Sequence, residues 1–264
     1  MNERLNKKVV LLTNDDGIKA KGLLTLYNTL KNDGRFDVHI VAPENERSAV
    51  GHAITVFDPI SVKKEYNNGD FYGYAVNGTP ADCVKLAVSA ILDRKPDILI
   101  SGINRGPNLG GNIIYSGTVS AATEGTMYNI SSIAVSIDNL KDTDYSYAAE
   151  FAKKIAALII EKGGLPEGTL LNINIPDIHP SNIRGVKITC QSDSKLKDFF
   201  IKRVDPRGRD CYWMDGEFVE VCRREDDDYS AIKNGYISIT PIHYDLTDYE
   251  KIDYFRNWGI TKDI

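Results

Sequence analysis

Residues 9–12, Val-Val-Leu-Leu, form an unbroken apolar run that Asn14, Asp15, Asp16 and Gly17 end abruptly. A short continuous apolar run bounded by turn residues predicts a strand buried on both faces of a parallel sheet. In open α/β sheets, ligands sit just beyond the carboxyl ends of such strands. Two adjacent carboxylates there repel, and each raises the other's pKa unless a cation compensates. A hard divalent cation with oxygen ligands is their natural partner. The same residues also make a plain strand-ending turn, where Asn, Asp and Gly are common. On this stretch alone, both readings stand.

The alternation that follows extends the parallel-sheet reading. Residues 22–32 carry Leu23, Leu26, Tyr27 and Leu30 at helical spacing, and residues 36–42 predict a second strand with His39 inside it. Strand, helix, strand opens a parallel α/β sheet. The polar segment 43–55 fits neither element and leaves strand two at the edge where Asp15 and Asp16 emerge. Residues 60–65 and 71–76 flank Asn67-Asn68-Gly69 and predict an inserted hairpin. Thr79, Pro80 and Asp82 mark a helix start as N-cap, N1 and N3. A strand at 97–100 leads into a glycine- and asparagine-rich loop at 101–118, and a loop that long inside a compact domain is usually functional.

Further elements are expected as a helix at 118–128, a strand at 132–137 and a helix at 144–162 with Tyr147, Phe151, Ile155 and Leu158 on one face. Strands at 170–175 and 186–190 follow. From about residue 191 the alternation stops, and 199–204 and 211–214 straddle Asp205-Pro206-Arg207-Gly208 as an extended hairpin. The acidic run 225–228 reads as a solvated loop, residues 236–241 as a returning strand and 249–258 as a short terminal helix. The division expected is residues 1–190 as an α/β Rossmann-like domain, a mostly parallel sheet flanked by helices. Residues 191–264 then form a projecting C-terminal β-hairpin arm with its returning strand and terminal helix, used in oligomerisation.

Charge and cysteine usage narrow the partners. A net charge of −5 supplies no basic surplus for a nucleic-acid polymer. No apolar run is long enough to span a bilayer, and the first eight residues enter the first strand without a signal-peptide core. Cys83, Cys190, Cys211 and Cys222 form no zinc spacing and read as free thiols, so a reducing, cytoplasmic location is the expectation.

Three segments are expected at one sheet edge: the Asp15-Asp16 turn, the loop with Ser48 and the loop with Asn104. Two carboxylates, a hydroxyl and an amide oxygen suit Mg²⁺ or Mn²⁺ and not structural zinc. Gly102 and Gly106 let the backbone approach a ligand closely. Ser116-Gly117-Thr118 at a helix N-terminus offers amides and hydroxyls to an anion. A cation site beside an anion site describes a phosphate ester site, where a metal polarises a phosphoryl oxygen and activates water, and where one Asp can accept the proton. A haloacid-dehalogenase-type scheme needs Asp-x-Asp, whereas that spacing falls on Asn14 and Asp16, and Asn cannot form an aspartyl-phosphate. No Gly-x-Gly-x-x-Gly follows the first strand, which removes a dinucleotide fingerprint.

Taken together, TNDDG at 13–17, APENERSAVGHAIT at 42–55, VNGTPADCV at 76–84, SGINRGPNLG at 101–110 and YSGTVSAATEG at 115–125 resemble the SurE family of metal-dependent 5′(3′)-nucleotidases. DPRGRDCYW at 205–213 and TPIHYDLTDY at 240–249 continue the likeness, although Cys211 stands where relatives often carry an aromatic residue. The resemblance implies one divalent metal per subunit, Mg²⁺ or Mn²⁺, bound by Asp15, Asp16, Ser48 and Asn104, with Asp15 and Asp16 catalytic. It implies a phosphate pocket lined by Asn108, Ser116, Gly117 and Thr118, and hydrolysis of nucleoside 5′-monophosphates, with 3′-monophosphates or short polyphosphate as further substrates. It also implies a homodimer or homotetramer. A nucleotide sensor without activity is the rival reading, against which the repulsive acid pair argues, since a sensor has no use for it.

Overall fold

The computed structural model describes residues 7–141, 143–219 and 224–258. Cys222 and the side chain of Phe218 lie outside the described residues.

In chain order the elements are β1 (Lys8–Thr13), α1 (Lys21–Lys31), β2 (Phe36–Pro43), β3 (Val62–Asn67), β4 (Asp70–Val76), α2 (Pro80–Leu86), β5 (Ile98–Arg105) and α3 (Gly117–Met127). They continue as β6 (Ser131–Asp138), α4 (Ser146–Glu161), β7 (Thr169–Pro176), β8 (Val186–Ile188), β9 (Lys195–Val204), β10 (Asp210–Val219), α5 (Asp228–Lys233), β11 (Ile237–His243) and α6 (Ile252–Arg256). Among the described residues, nine strands form one sheet in the order β3-β4-β2-β1-β5-β6-β7-β11-β8, and β9 and β10 pair by themselves. The run from β4 to β7 is parallel, β11 is antiparallel to β7, and β3 is antiparallel to β4 at the edge. This is the mostly parallel, helix-flanked α/β sheet with a separate hairpin that the sequence predicts. Among the described residues, no helix is long and apolar enough to cross a membrane.

β1 is central because Val9 to Leu12 are buried on both faces. Val10 and Leu12 face α1 and α4, while Leu11 faces the layer of α2 and α3. The chain leaves β1 toward β2 on one side, and β5 pairs on the other. The gap between β1 and β5 is therefore the switch point of the sheet, where such folds bind ligands. At α2, Thr79 and Asp82 close a reciprocal capping box with Pro80 in the first turn, as expected.

The expected hairpin forms as β3 and β4, and β4 pairs in parallel with β2, so the hairpin extends the sheet's edge. Three expectations change. β5 runs on to Arg105, past the expected end at residue 100, with an irregularity between Gly102 and Asn104 that keeps it paired to β6; the expected loop at 101–118 is thus strand, a short connection and a 3₁₀ segment, Gly110–Tyr115. α4 buries Ala148, Ala149, Ala152, Ala156 and Ile159, whereas Tyr147 and Leu158 are exposed. Its small residues let the helix lie close to α1 and the sheet, so the larger side chains end up at its flanks. Lastly, the acidic run at 225–228 is not a solvated loop throughout, since Asp227 and Asp228 are buried at the start of α5.

Candidate functional site

The acid pair sits where β1 ends. Asp15 is 5% exposed and Asp16 is half-buried. The Thr118 N–H donates to Asp15 Oδ2 at 3.1 Å, and the Thr118 hydroxyl donates to Oδ1. A Cβ on Gly117 would come within 2.8 Å of the Asp15 Cβ, so only glycine lets the start of α3 press against the acid.

Burial pushes the Asp15 carboxyl up to about 6; the Thr118 hydroxyl pulls against that, and the charge of Asp16 adds to it. Burial also raises Asp16, opposed by the Arg105 N–H and charge and reinforced by Glu46. A carboxyl pair held in this unfavourable state is a standard mark of a functional site.

The other candidates are brought to this pair by backbone ties. The Arg105 N–H donates to Asp16 Oδ2 at 3.1 Å, which fixes the end of β5 next to Asn104. Asn104 itself donates through Nδ2 to Gly106 O at 2.7 Å, which sets the orientation of its amide. The Arg47 N–H donates to Asp15 O at 2.7 Å, placing Ser48 one residue further along; its exposed hydroxyl donates to Glu46 at 2.7 Å. Asp15, Asp16, Ser48 and Asn104 thus come from three segments that meet at the switch point.

The phosphate-side candidates divide. Ser116 is the N-cap of α3 and accepts from the Val119 N–H at 3.1 Å. Thr118, foreseen as an anion donor, has its hydroxyl turned on Asp15. Ser116 and Gly117 stand beside it at the same helix start. Asn108 is buried against β6 and β7, where its Nδ2 donates to Ser136 Oγ at 2.8 Å and its N–H to Asn174 Oδ1 at 2.8 Å.

Sequence reasoning passed over Glu46, Asn14 and Ser101. Glu46 adds a third carboxylate that raises Asp16. The buried Asn14 Oδ1, just past β1, and Ser101 Oγ, within β5, have no hydrogen-bond partner among the described residues. No signal marked Glu46 beyond its place in the strand-two loop.

Loss of the Thr118 hydroxyl gives a first test. In Thr118→Val, Asp15 loses a donor that favours its ionised form, so its pKa rises further. Protons then compete with any cation at Asp15 to a higher pH, and the acid limb of the activity profile moves upward. An unmoved acid limb contradicts this role.

Fold and site together define a doubly wound α/β protein with an acidic, oxygen-lined centre at its switch point. The model of the family described as Survival protein SurE matches residues 10–198, and the chain belongs to that family. Among relatives, a 5′-nucleotidase SurE of Syntrophobacter fumaroxidans is 49% identical, covering 95% of this chain and 99% of that protein. One of Caldanaerobacter subterraneus subsp. tengcongensis is 48% identical, covering 97% and 99%. The crystal structure of a SurE protein from Aquifex aeolicus superposes with a TM-score of 0.81 at 40% identity, covering 95% and 99%.

Proposed function

We propose that the protein is a 5′-nucleotidase that hydrolyses nucleoside 5′-monophosphates to nucleoside and phosphate and needs one divalent cation, Mg²⁺ or Mn²⁺, in each subunit. Its membership of the SurE family and relatives named 5′-nucleotidase at nearly full coverage support the reaction. The observation that carries the cation is the buried Asp15 with the charge of the half-buried Asp16 against it at the switch point.

The residues present fit such an ion. Among the described residues, no three His, Cys, Asp or Glu cluster as a metal site. The donor set is instead two carboxylates with Ser48 and Asn104 oxygens, a mixed oxygen set of the kind magnesium takes when water completes its shell. When bound, a divalent cation supplies Lewis acidity toward a phosphoryl oxygen and brings the pKa of water into a usable range.

The chain's own contribution is positioning and proton handling. Asp15 and Asp16 supply negative charge at fixed positions, and Thr118 orients Asp15 through both its oxygens. Burial raises the Asp15 carboxyl in the metal-free protein, and a cation bound beside it would favour its ionised form. Ser116 and Gly117 present a hydroxyl and an amide at the positive end of α3 to the phosphate, with Asn108 on the far side. Hydrolysis of 3′-monophosphates or short polyphosphate uses the same phosphate contacts.

Chelation tests the cation. Treatment with EDTA followed by desalting is expected to abolish phosphate release from a nucleoside 5′-monophosphate, and Mg²⁺ or Mn²⁺ to restore it. Full activity in the stripped protein contradicts the proposal.

A further inference from the structure

Asp228 lies in an acidic stretch, yet its side chain is fully buried at the first residue of α5. Its carboxylate accepts backbone N–H groups from three places. Oδ2 takes Gly110 at 2.9 Å, and Oδ1 takes Ser192 at 3.0 Å and Tyr229 at 2.8 Å. Gly110 opens the 3₁₀ segment that runs from the Asn108 loop to Ser116, and Ser192 lies just before β9.

Two more bonds join the same partners. Gln191 Nε2 donates to Gly110 O at 2.8 Å, and the Gly111 N–H donates to Ser194 O at 3.1 Å. The approach is close: with φ of +53°, Gly110 could carry a Cβ only 2.4 Å from Ser194 O. The loop is gripped from its other side by β7, where Asn172 and Asn174 donate to Asn108 O at 2.8 and 3.0 Å. Asparagines of the sheet thus hold one end, and a carboxylate at the root of the β9–β10 arm holds the other.

The choice of a carboxylate has a reason. Burial raises the Asp228 pKa, against the pull of the Gly110 N–H and of Ser192. That burden is offset by acceptor capacity, because a carboxylate has two acceptor oxygens and no donor. An amide in its place would turn an N–H toward the N–H of Gly110 or of Ser192 and lose one of the two ties.

We propose that Asp228 is a positioning residue that fixes the loop between Asn108 and Ser116 to the root of the arm, so that the phosphate side of the site keeps its shape through the seating of residues 191–194. The structural part stands on these contacts, and the kinetic part rests on the nucleotidase reading above.

The experiment compares the intact chain with Asp228→Asn. Hydrogen–deuterium exchange in peptides covering 106–116 is expected to quicken about 10-fold, with β1 and β5 as protected as before, because losing a hydrogen bond to a buried charged group raises local opening by about that factor. In kinetics, inhibition by inorganic phosphate should weaken and kcat/KM should fall by about 10-fold or more, while the Mn²⁺ concentration giving half-maximal activity stays put. Unchanged exchange overturns the clamp whether or not the wild-type protein hydrolyses nucleotides. Quickened exchange with unchanged phosphate inhibition overturns the positioning role alone. A wild-type protein inactive on every monophosphate strikes the nucleotidase reading and leaves exchange to decide the clamp. Should Asp228→Asn not fold, Gln191→Ala removes only the amide donor to Gly110 O; the same two changes are expected in smaller degree, and their absence overturns the proposal.

Discussion

Asp15→Asn is expected to lose more activity than the about 10–100-fold that removing an outer-shell partner costs, and in the metal-free protein to be no less stable than the parent. The shape of the side chain is kept, but the charge that would hold the cation is gone. The stability half follows from the pKa. Asp15 moves from 3.8 to about 6 on folding, so between those values the folded protein binds more protons than the unfolded chain. Stability from this group is present below pH 3.8 and falls as pH rises through about 6. Above that window the burden is about 3 kcal/mol at about 1.36 kcal/mol per unit. Asparagine escapes this burden: its Oδ1 can keep the Thr118 N–H while its Nδ2 donates to the Thr118 hydroxyl oxygen, so weaker neutral bonds give back about 1 kcal/mol. Urea unfolding of both chelated proteins from pH 4 to 8 checks it: the difference should open between pH 4 and 6 and hold constant above. A variant that is fully active, or inactive because unfolded, contradicts the role of Asp15.

The second large effect concerns the arm. In the register of β9 against β10, Phe200 faces Met214 and Ile201 faces Trp213. These two cross-strand pairs are on opposite faces of the ribbon, because successive residues alternate. Phe200, Val204, Tyr212, Trp213 and Met214 are all exposed. A two-stranded ribbon is marginal in water by itself, and an apolar surface of this extent is rarely left open on a monomer. We propose that a second copy of the chain covers it, in a dimer or a pair of dimers, symmetric dimers being the commonest assembly. Replacing residues 198–216 with a short Gly/Ser linker leaves Gln191, Ser192, Ser194 and Asp228 in place. Light scattering should then find monomers with intact helical signal, against dimers or larger for the parent. A parent that is monomeric at micromolar concentration contradicts this.

The parts of the molecule legible in sequence were those that local pattern dictates. Val9 to Leu12 announce a buried parallel strand, and parallel strands put their ends on one edge, so the segments carrying Asp15, Asp16, Ser48 and Asn104 can be grouped from sequence. Thr79, Pro80 and Asp82 announced a helix start because capping is decided within four residues. The illegible parts depend on distant partners. The four alanines buried in α4 carry little hydrophobic signal, and Tyr147 and Leu158 drew attention instead. Asp228 reads as solvated because buried acids are uncommon; besides the neighbouring Tyr229 N–H, its burial depends on the amides of Gly110 and Ser192, far away in sequence. Thr118 was rightly placed at a helix start, but its engagement with Asp15 across 103 residues has no local mark.

What is proposed at the switch point is a cation-dependent phosphate ester site that acts on nucleotides. Its most direct test is phosphate release from a panel of nucleoside 5′- and 3′-monophosphates, with p-nitrophenyl phosphate as a base-free control, each with and without Mg²⁺ or Mn²⁺. The expected result is release from the 5′-monophosphates only when the cation is present, at higher kcat/KM than from the base-free ester. Binding of nucleotides without turnover under every metal condition would contradict it and leave a nucleotide sensor in its place.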